Sequence, residues 1–387
     1  VRWYQAAQVI RQERADKEEI EQEIGRMVHA SEHGDQQVLD DFQAAYQPVL
    51  DGMLTTLARL GIGFDTFTKE SMFVTNGDVG RLMEQFRSFD IHGTADNGAE
   101  FLDLGARGLK GKTEFFFRRG DGSSLYATRD IAYHMWKWQQ CDDLINVLGE
   151  DHKLQAKQVG MTLTELQQKV PEVMFYSFIK LPEGKMSTRK GNVVFMDDLL
   201  EEAHAQAADV LRERRPGMNE AEMDAIAEAV GTSAVRFNIV SVSPEKGFTF
   251  RWEDALSFEA GSAPFIMYSH TRACSIRRKV LEQDAAFSEP FDAQSQADTE
   301  TPPGLVQLLR TLAVHNDRLG KVVREHRPNL FAEYLLHLAT AYNSFYRDCY
   351  IIENGTVNPF YFAISELART TLKAGMEGLG IVPLESM

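Results

Sequence analysis

The sequence predicts an α/β fold that is followed by an all-helical region. Two apolar runs, Asp143 to Gly149 and Val173 to Ile179, are typical of strands, and the first ends in glycine in the manner of a buried parallel strand. Apolar residues recur at helical spacing after these runs, and residues 305–387 are predicted to be helical throughout. A chain of 387 residues is long enough for two or three domains with sizeable cores.

The composition narrows the class of protein. The net charge of −16 argues by itself against nucleic acid as a partner, although a local basic face is still compatible with RNA binding. No apolar run reaches the roughly 18 residues of a membrane span, so no membrane partner is expected. The cysteines Cys141, Cys274 and Cys349 lie far apart, which suits neither a disulfide framework nor a zinc site and fits a reducing cytoplasm.

The first part of the chain is predicted to be mainly helical. Arg11 to Arg26 is densely charged, and Val38 to Leu60 repeats apolar residues along one helical face, as a core helix does. Short segments with glycine punctuation follow, and Asn97 to Leu104 and Thr113 to Phe117 are predicted strands. The Asp121-Gly122 pair after the second of these predicts a hairpin.

Two polar groups stand where an α/β fold can bind a ligand. A helix is predicted to begin near Thr128, which puts Asp130 in its first turn, either as a partner of the helix dipole or as an anion for a cationic substrate. Gly149, Asp151 and His152 follow the predicted parallel strand, at the sheet edge where open α/β folds bind ligands. Taken alone, the motif of Gly149, Asp151 and His152 is a weak indication of a binding site.

A cationic loop lies between a predicted strand and a predicted helix. It runs from Lys185 to Gly191 after a turn at Leu181 to Gly184, and it carries three cations and two hydroxyls. Asp197-Asp198 then opens a helix with an apolar face. Lysine and arginine in such a loop suit a polyphosphate ligand, whereas the alternative is a solvated basic turn.

Three of these segments resemble class I aminoacyl-tRNA synthetases, and among them the arginyl-tRNA synthetases, in the order of the family. KMSTRKGNVV from Lys185 resembles the KMSKS signature, GEDH from Gly149 resembles GxDQ, and LYATRDIAYH from Leu125 resembles the arginine-binding segment. Two positions depart from the pattern: Thr188 occupies the place of the second lysine, and His152 that of the usual glutamine. Either Arg189 or Lys190, or another part of the protein, must then supply the missing charge.

The resemblance implies roles for particular residues. The catalytic cations would be Lys185, Arg189 and Lys190, which stabilise the charge on departing pyrophosphate. ATP would be bound by Gly149, Asp151, His152, Met186 and Ser187. Arginine would be bound by Tyr126, by Asp130 and by one of Gln155 and Gln158, of which Gln158 is slightly favoured.

The C-terminal part resembles the helical anticodon-binding domain named for its Asp-Ala-Leu-Arg signature. That signature is degenerate here, as Glu366-Leu367-Ala368-Arg369, and RPNLFAEYLLHLATAYNSFYRDC from Arg327 adds to the resemblance. Asn343, Tyr346 and Arg347, near the end of the predicted helix Asn329 to Tyr346, are candidate tRNA-binding residues. The alternative for most of these aromatic residues is an ordinary bundle core.

The resemblance predicts an α/β, Rossmann-like class I synthetase catalytic domain that is incomplete, followed by an all-α helical-bundle anticodon-binding domain. Four parts are expected: a mainly helical insertion and return to the catalytic sheet (1–95), the second half of the catalytic domain (96–180), the KMSKS-type loop with a helical stem-contact region (181–260) and the anticodon-binding domain (261–387). No HIGH-type signature occurs in the 387 residues, and the first residue is Val1. We therefore expect an N-terminally truncated chain.

The function that the resemblance implies is ATP-dependent activation of L-arginine to arginyl-adenylate and transfer to tRNA-Arg. The expected protein is a cytoplasmic monomer, Mg²⁺ comes bound to ATP, and the chain alone is expected to be inactive in activation. A tRNA-binding module or paralogue without catalysis is the alternative. A helical interaction protein with an incidental basic loop is a second alternative, and a synthetase for another amino acid is a weaker one.

Overall fold

The computed structural model describes residues 6–10, 16–181, 184–185, 195–257, 261–283 and 301–387. The chain forms two compact units, one of residues 1–55 and 64–176 and one of residues 56–63 and 177–387. The four-part division predicted from the sequence stays a prediction. None of the helices in the described ranges combines the length and the apolar character that crossing a bilayer requires.

The helices of the first unit surround a small antiparallel sheet. They are α1 (Lys17–Glu32), α2 (Gln36–Arg59, whose last residues belong to the second unit), α3 (Ser71–Thr75), α4 (Asp78–Arg87), α5 (Tyr126–Lys137) and α6 (Lys153–Glu165). The predicted helix over Val38 to Leu60 is confirmed in α2, but its assignment to a core is wrong because α2 has no fully buried residue. Its apolar face instead lines an open cleft of about 820 Å³ against residues 67–75.

The antiparallel sheet consists of β1 (His92–Thr94), β2 (Glu100–Asp103) and β3 (Glu114–Arg118) in that order. The two predicted strands of this region are confirmed in β2 and β3. The hairpin predicted after β3 is reduced to one bridge between Arg118 and Ser124, because the chain enters α5 at once. Phe86, Phe115 and Phe117 are fully buried behind the sheet and join it to α4.

A parallel pair of strands carries the first candidate site. β4 (Ile145–Gly149) pairs in parallel with β5 (Glu172–Tyr176), with Gly149 opposite Tyr176. The predicted parallel strand is therefore confirmed, but its predicted burial is wrong, since Ile145 is 41% and Val147 60% exposed. Within the described residues β4 has β5 as its one strand neighbour, and a two-stranded sheet leaves apolar side chains open to solvent.

The apolar run Val173 to Ile179 is broken into two strands that belong to different units. β5 ends at Tyr176, and the N–H of Ser177 donates to the carbonyl of Pro244 over 2.8 Å. β6 (Ile179–Leu181) then pairs antiparallel with β7 (Gly184–Lys185) and parallel with β8 (Phe248–Thr249). Periodicity missed the break because the competing hydrogen-bond partner lies almost 70 residues away in the chain.

The second unit is a helical bundle apart from this small sheet and one hairpin. Its helices are α7 (Met196–Arg214), α8 (Glu220–Val240), α9 (Trp252–Ala255), α10 (Ala263–Gln283), α11 (Pro303–Ala313), α12 (His315–Glu325), α13 (Pro328–Asp348) and α14 (Pro359–Leu379). The helix predicted after Asp197-Asp198 is confirmed, with Leu200, Ala203 and Leu211 of α7 fully buried. Tyr342 and Phe345 of α13 are fully buried in the bundle core.

The prediction of helices throughout residues 305–387 is wrong at one place. β9 (Ile352–Glu353) and β10 (Thr356–Val357) form an antiparallel hairpin between α13 and α14. Asn354 and Gly355 at its turn have φ angles of 50° and 79°, which asparagine and glycine adopt at little cost. The Asn-Gly pair was therefore an available signal for this hairpin.

Candidate active site and nucleic-acid interface

Helix α5 positions the residues predicted to bind the amino acid. It begins at Tyr126, after Leu125 in an extended conformation, and so starts two residues before the predicted Thr128. The placement of Asp130 in the first turn is therefore wrong, and its alternative reading as a dipole partner loses force because that effect fades after the first turn. Tyr126 and Asp130 are four residues apart and share one face of α5.

The carboxylate of Asp130 has a partly buried polar network behind it. His134 Nδ1 lies 2.7 Å from the Asp130 carbonyl oxygen and 3.2 Å from Asp130 Oδ1. On its other side, His134 Nε2 lies 2.7 Å from Asn146 Nδ2 of β4. Lys137 completes the network by donating to Asn146 Oδ1 over 3.2 Å. Burial lowers the pKa of Lys137, and the nearby Asp130 charge offsets only part of this shift. Sequence reasoning missed all three supporting residues.

Arg129 fixes the start of α5. Its guanidinium lies 3.2 Å from a carboxylate oxygen of Glu70 and 3.5 Å from one of Glu32, and it faces the ring of Tyr126 at 5.6 Å. The ring of Tyr126 is 61% exposed. Arg129 therefore joins the turn that carries Tyr126 and Asp130 to α1 and to the segment before α3.

The GEDH motif lies at the carboxyl end of β4, as predicted. Glu150–His152 forms one turn of 3₁₀ helix between β4 and α6. A Cβ atom on Gly149 would lie 2.5 Å from Asp151 Oδ1, so any other residue here would move the Asp151 carboxylate from its present position. Asp151 and His152 have side chains 60% and 51% exposed, which leaves them open to a ligand.

A small cavity brings the two motifs of the first unit together. We call it the Asp130 cavity; it has a volume of about 50 Å³, room for a group of a few atoms rather than a whole amino acid. Its polar lining residues are Asp130, His134, Asn146, His152 and Gln155. Its apolar lining residues are Leu148, Ala156, Val159, Val170, Pro171 and Val173.

The two candidate glutamines of α6 have different surroundings. Gln155 borders the Asp130 cavity, where its Oε1 lies 3.3 Å from His152 Nδ1. Gln158, which the sequence slightly favoured, donates instead to the carbonyls of Lys112 and Glu114, both over 3.3 Å. The side chain of Gln158 therefore bonds to backbone next to and at the start of β3, and Gln155 is the glutamine beside Asp130.

Lys185, the first residue of the KMSKS-type string, belongs to the second unit. It ends β7, where it is paired in register with Lys180 of β6. The turn predicted at Leu181 to Gly184 includes Pro182 and Glu183, which lie outside the described residues. Met186, Ser187, Thr188, Arg189 and Lys190 lie outside the described residues.

The candidate tRNA-binding residues of α13 differ in their surroundings. Asn343 accepts from Arg272 Nη1 over 2.5 Å and donates to Ser269 Oγ over 2.8 Å. The Arg272 guanidinium lies between two rings, 4.9 Å from the centroid of Tyr268 and 4.7 Å from that of Tyr346. Arg347 instead forms an ion pair with its neighbour Asp348 over 2.9 Å.

Tyr268, Arg272 and Tyr346 border a cleft of about 620 Å³ in the second unit, which we call the basic cleft, whereas Asn343 and Arg347 are not among its lining residues. Its charged and aromatic lining residues are Arg214, Arg215, Arg272, Arg278, Lys279, Tyr268 and Tyr346. Among the described residues that line it there is no Asp or Glu. A chain of net charge −16 therefore carries a local face suited to a polyanion. The spacing of Tyr268 and Arg272, four residues apart in α10, was the sequence signal for this basic face.

The degenerate signature of α14 has a structural role. Arg369 donates two hydrogen bonds to the Glu366 carboxylate, over 3.0 and 3.1 Å, and the side chains of both are largely buried. Arg277 of α10 donates to the same carboxylate. Glu366 thus joins α14 to α10, the helix that carries half of the basic cleft.

Two family matches, to a class I catalytic domain and to an anticodon-binding domain, place this fold among the class I aminoacyl-tRNA synthetases. The chain belongs to the arginyl-tRNA synthetase family of this class. Residues 4–252 match the family described as tRNA synthetases class I (R), catalytic domain, and residues 266–387 match the DALR anticodon binding domain. The predicted family and fold class are confirmed.

Arginine–tRNA ligases from two archaea are similar along almost the whole chain. The enzyme of Methanocella arvoryzae is 40% identical over 379 residues, which are 97% of this chain and 64% of that protein. The enzyme of Archaeoglobus fulgidus is 39% identical over 370 residues, which are 95% of this chain and 65% of that protein. The chain thus spans a little under two thirds of the length of these relatives.

Solved structures share the fold. The arginyl-tRNA synthetase of Thermus thermophilus superposes with a TM-score of 0.78 at 22% identity, over 98% of this chain and 69% of that one. That of Plasmodium falciparum gives a TM-score of 0.71 at 16% identity, over 96% of this chain and 64% of that one. At such identities the likeness concerns the fold alone.

Proposed function

We propose that this chain takes part in the ATP-dependent activation of L-arginine to arginyl-adenylate and in the transfer of arginine to tRNA-Arg. The observation that carries the proposal is the carboxylate of Asp130, which borders one cavity with His152 and Gln155. A carboxylate is the natural partner of a guanidinium, because two parallel N–H···O bonds match the two groups. The similarity to arginine–tRNA ligases supports the same substrate.

In the activation step, a carboxylate oxygen of arginine attacks the α-phosphorus of ATP, and pyrophosphate leaves. Asp130 binds the guanidinium, Tyr126 covers it, and the Gln155 amide contacts the amino acid. Asp151 accepts from the ribose hydroxyls, while Gly149 and His152 shape the nucleotide side of the motif. Gln158 remains a less favoured candidate, because its amide already bonds to two carbonyls.

The KMSKS-type string supplies the cations for the leaving pyrophosphate. Lys185, Arg189 and Lys190 stabilise the charge that develops there, and Met186 and Ser187 bind ATP; these roles rest on the sequence match alone. Mg²⁺ enters bound to the ATP phosphates, because this small cation commonly binds through substrate phosphates and keeps several of its waters. We also propose that the protein is a cytoplasmic monomer. All three cysteines have free thiols, which fits the reducing cytoplasm.

In the transfer step, a terminal ribose hydroxyl of tRNA-Arg attacks the carbonyl carbon of the adenylate, and AMP leaves. The basic cleft binds the tRNA: the exposed ring of Tyr346 stacks on a base, and Asn343 holds Arg272 in place for a phosphate or a base. Arg347 contributes at most a peripheral charge, because Asp348 neutralises it. Such binding weakens as salt rises.

Activation is tested by arginine-dependent exchange of pyrophosphate into ATP. The 387 residues contain no HIGH-type signature, so the chain by itself is expected to give background exchange only, whereas the intact gene product that contains it is expected to respond to arginine and to no other amino acid. Exchange by the chain alone well above background would contradict the first expectation. Exchange with a different amino acid would overturn the substrate.

A tRNA-binding protein without activation is the second candidate, and Thr188 in the place of the second lysine favours it. The two candidates separate in one pair of assays on the intact gene product. Binding of tRNA-Arg with preference for its own anticodon, together with arginine-dependent exchange, supports the synthetase. Binding without exchange supports the second candidate.

A further inference from the structure

We propose that His134 is a positioning residue for Asp130, with its proton on Nδ1, and that it orients the Asp130 carboxylate for the cationic side chain of the substrate. The proposal rests on the proposed function and names a part of the site that the sequence resemblance did not assign. His134 touches no substrate in this account. It acts through the carboxylate that does.

The surroundings of Nδ1 determine which ring nitrogen carries the proton. A neutral imidazole has one donor nitrogen and one acceptor nitrogen. Nδ1 faces two oxygens, the Asp130 carbonyl at 2.7 Å and Asp130 Oδ1 at 3.2 Å. Both oxygens only accept, so the N–H belongs on this side of the ring.

The surroundings of Nε2 lead to the same tautomer independently. Nε2 lies 2.7 Å from Asn146 Nδ2 and 3.4 Å from Lys137 Nζ, and both of these atoms are donors when the amide is oriented by Lys137. Lys137 fixes that orientation by donating to Asn146 Oδ1 over 3.2 Å. The hydrogen bonds therefore run in one direction, from Lys137 to Asn146, from Asn146 to His134 and from His134 to Asp130.

The burial of the His134 ring fixes the part of the network that contacts Asp130. The His134 side chain is 3% exposed, whereas that of Asp130 is 32% exposed and borders the Asp130 cavity. The network also links two elements, since Asn146 lies on β4 and the other members lie on α5. One carboxylate oxygen is thus held from behind while the other stays available for a guanidinium. A site residue that is fixed in this way loses less entropy when its ligand binds.

The test compares two variants of the intact gene product in arginine-dependent pyrophosphate exchange. His134→Phe keeps the ring volume and removes both hydrogen bonds, so the KM for arginine is expected to rise about tenfold, the effect of losing one charge-assisted hydrogen bond. The KM for ATP is expected to stay within about twofold. His134→Asn keeps an amide donor near the position of Nδ1 and is expected to recover most of the loss.

A merely structural role gives a different pattern. Equal changes in the KM values of both substrates, or a fall in kcat alone with no recovery in His134→Asn, would overturn the proposal. Thermal melts of both variants, beside the wild type, show whether a global loss of folding explains the kinetics. If the wild type itself shows no arginine-dependent exchange, the proposed function fails and the substrate role of His134 fails with it.

A spectroscopic readout decides the network without any activity. In the ¹⁵N-histidine NMR spectrum of the 387-residue chain, His134 should show a protonated Nδ1 and an unprotonated Nε2, and that signal should vanish in His134→Phe. A similar signal from His270, whose Nδ1 lies 2.9 Å from the Leu384 carbonyl oxygen, should stay. The Nε2-protonated tautomer at His134 would contradict the assigned direction of the hydrogen bonds. Asn146→Leu should shift the same signal, since it removes the donor to Nε2.

Discussion

The Asp130 cavity and the basic cleft differ in the sign of their charged side chains and in how those side chains are held. At the cavity, the Asp130 carboxylate is held by a chain of hydrogen bonds through the buried His134 and the half-buried Asn146 and Lys137. At the cleft, several cations are presented on an exposed surface, and Arg272 is held between two tyrosine rings that are each about 40% exposed. A small ligand offers few contacts and requires a fixed partner, whereas a nucleic acid offers many phosphates and tolerates a softer surface.

The largest expected effect follows the removal of the single anion. Asp130→Asn keeps the shape of the side chain but leaves the guanidinium without a charged partner, so kcat/KM for arginine is expected to fall by about 100-fold or more. The measurement is arginine-dependent pyrophosphate exchange by the intact gene product. Asp142→Asn, an exposed carboxylate just beyond α5, is the control and should change kcat/KM less than twofold.

A smaller effect is expected at Gly149 and Asp151, the residues proposed to bind the nucleotide. Gly149→Ala puts a Cβ within 2.5 Å of Asp151 Oδ1, which forces the carboxylate away from its position. The KM for ATP is expected to rise about tenfold, with the KM for arginine little changed. Gly63→Ala, where a Cβ has open space, is the matched control. An unchanged KM for ATP would show that Asp151 does not bind the nucleotide.

The basic cleft should lose affinity in smaller, graded steps. Arg272→Ala removes a charge and a stacked group, and Tyr346→Ala removes a stacking ring, so each is expected to weaken tRNA-Arg binding about five- to tenfold. Arg272→Ala should also lower the slope of log affinity against log salt by about one, whereas Tyr346→Ala should leave the slope unchanged. Fluorescence anisotropy across a salt series measures both. The control is Arg81→Ala, a solvent-exposed arginine of α4.

Buried and exposed carboxylates should also differ in their contribution to the free energy of unfolding, and Glu100 is the buried example. Hydrogen bonds from Arg87 and then Arg118 lower the pKa of Glu100 from 4.5 to about 2. A carboxyl with a depressed folded pKa contributes stability that is fully present above pH 4.5 and is lost as the pH falls toward 2. Glu100→Gln is therefore expected to lower the free energy of unfolding by about 3 kcal/mol at pH 7 and by much less near pH 2.

The same measurement on Glu84→Gln provides the comparison. Glu84 also pairs with Arg87, but its side chain is 72% exposed, so the expected loss is below about 1 kcal/mol. Urea unfolding at a series of pH values measures both variants. A loss for Glu100→Gln that does not depend on pH would mean that packing, and not ionisation, explains its effect.

Candidate residues that stand next to each other in short strings could be proposed from the sequence, whereas residues that converge from separate elements could not. Asp130, Asp151 and His152 could be proposed because their motifs occur in the order of the family. His134, Asn146 and Lys137 were missed because their hydrogen bonds join a helix to a strand, a contact that no local periodicity encodes. Arg272 was missed for the same reason, since its partners Asn343 and Tyr346 lie about 70 residues further along the chain.

The errors in the fold have equally local causes. The strand of Ile145 and Val147 has the apolar composition of a buried strand, yet composition alone does not show how many strands cover it. The run Val173 to Ile179 reads as one strand because a break caused by a distant carbonyl leaves no mark on periodicity. Gln155 and Gln158 could not be separated by spacing, and the backbone carbonyls beside β3 distinguish them.

The most direct test of the account compares L-arginine with L-citrulline, its uncharged isostere, in pyrophosphate exchange by the intact gene product. The wild type is expected to favour arginine by at least about 100-fold, because only a cation gains from the Asp130 carboxylate. Asp130→Asn is expected to lose most of this discrimination. If Asp130→Asn instead keeps the full preference for arginine over citrulline, Asp130 is not the residue that recognises the guanidinium, and the account of the site is wrong.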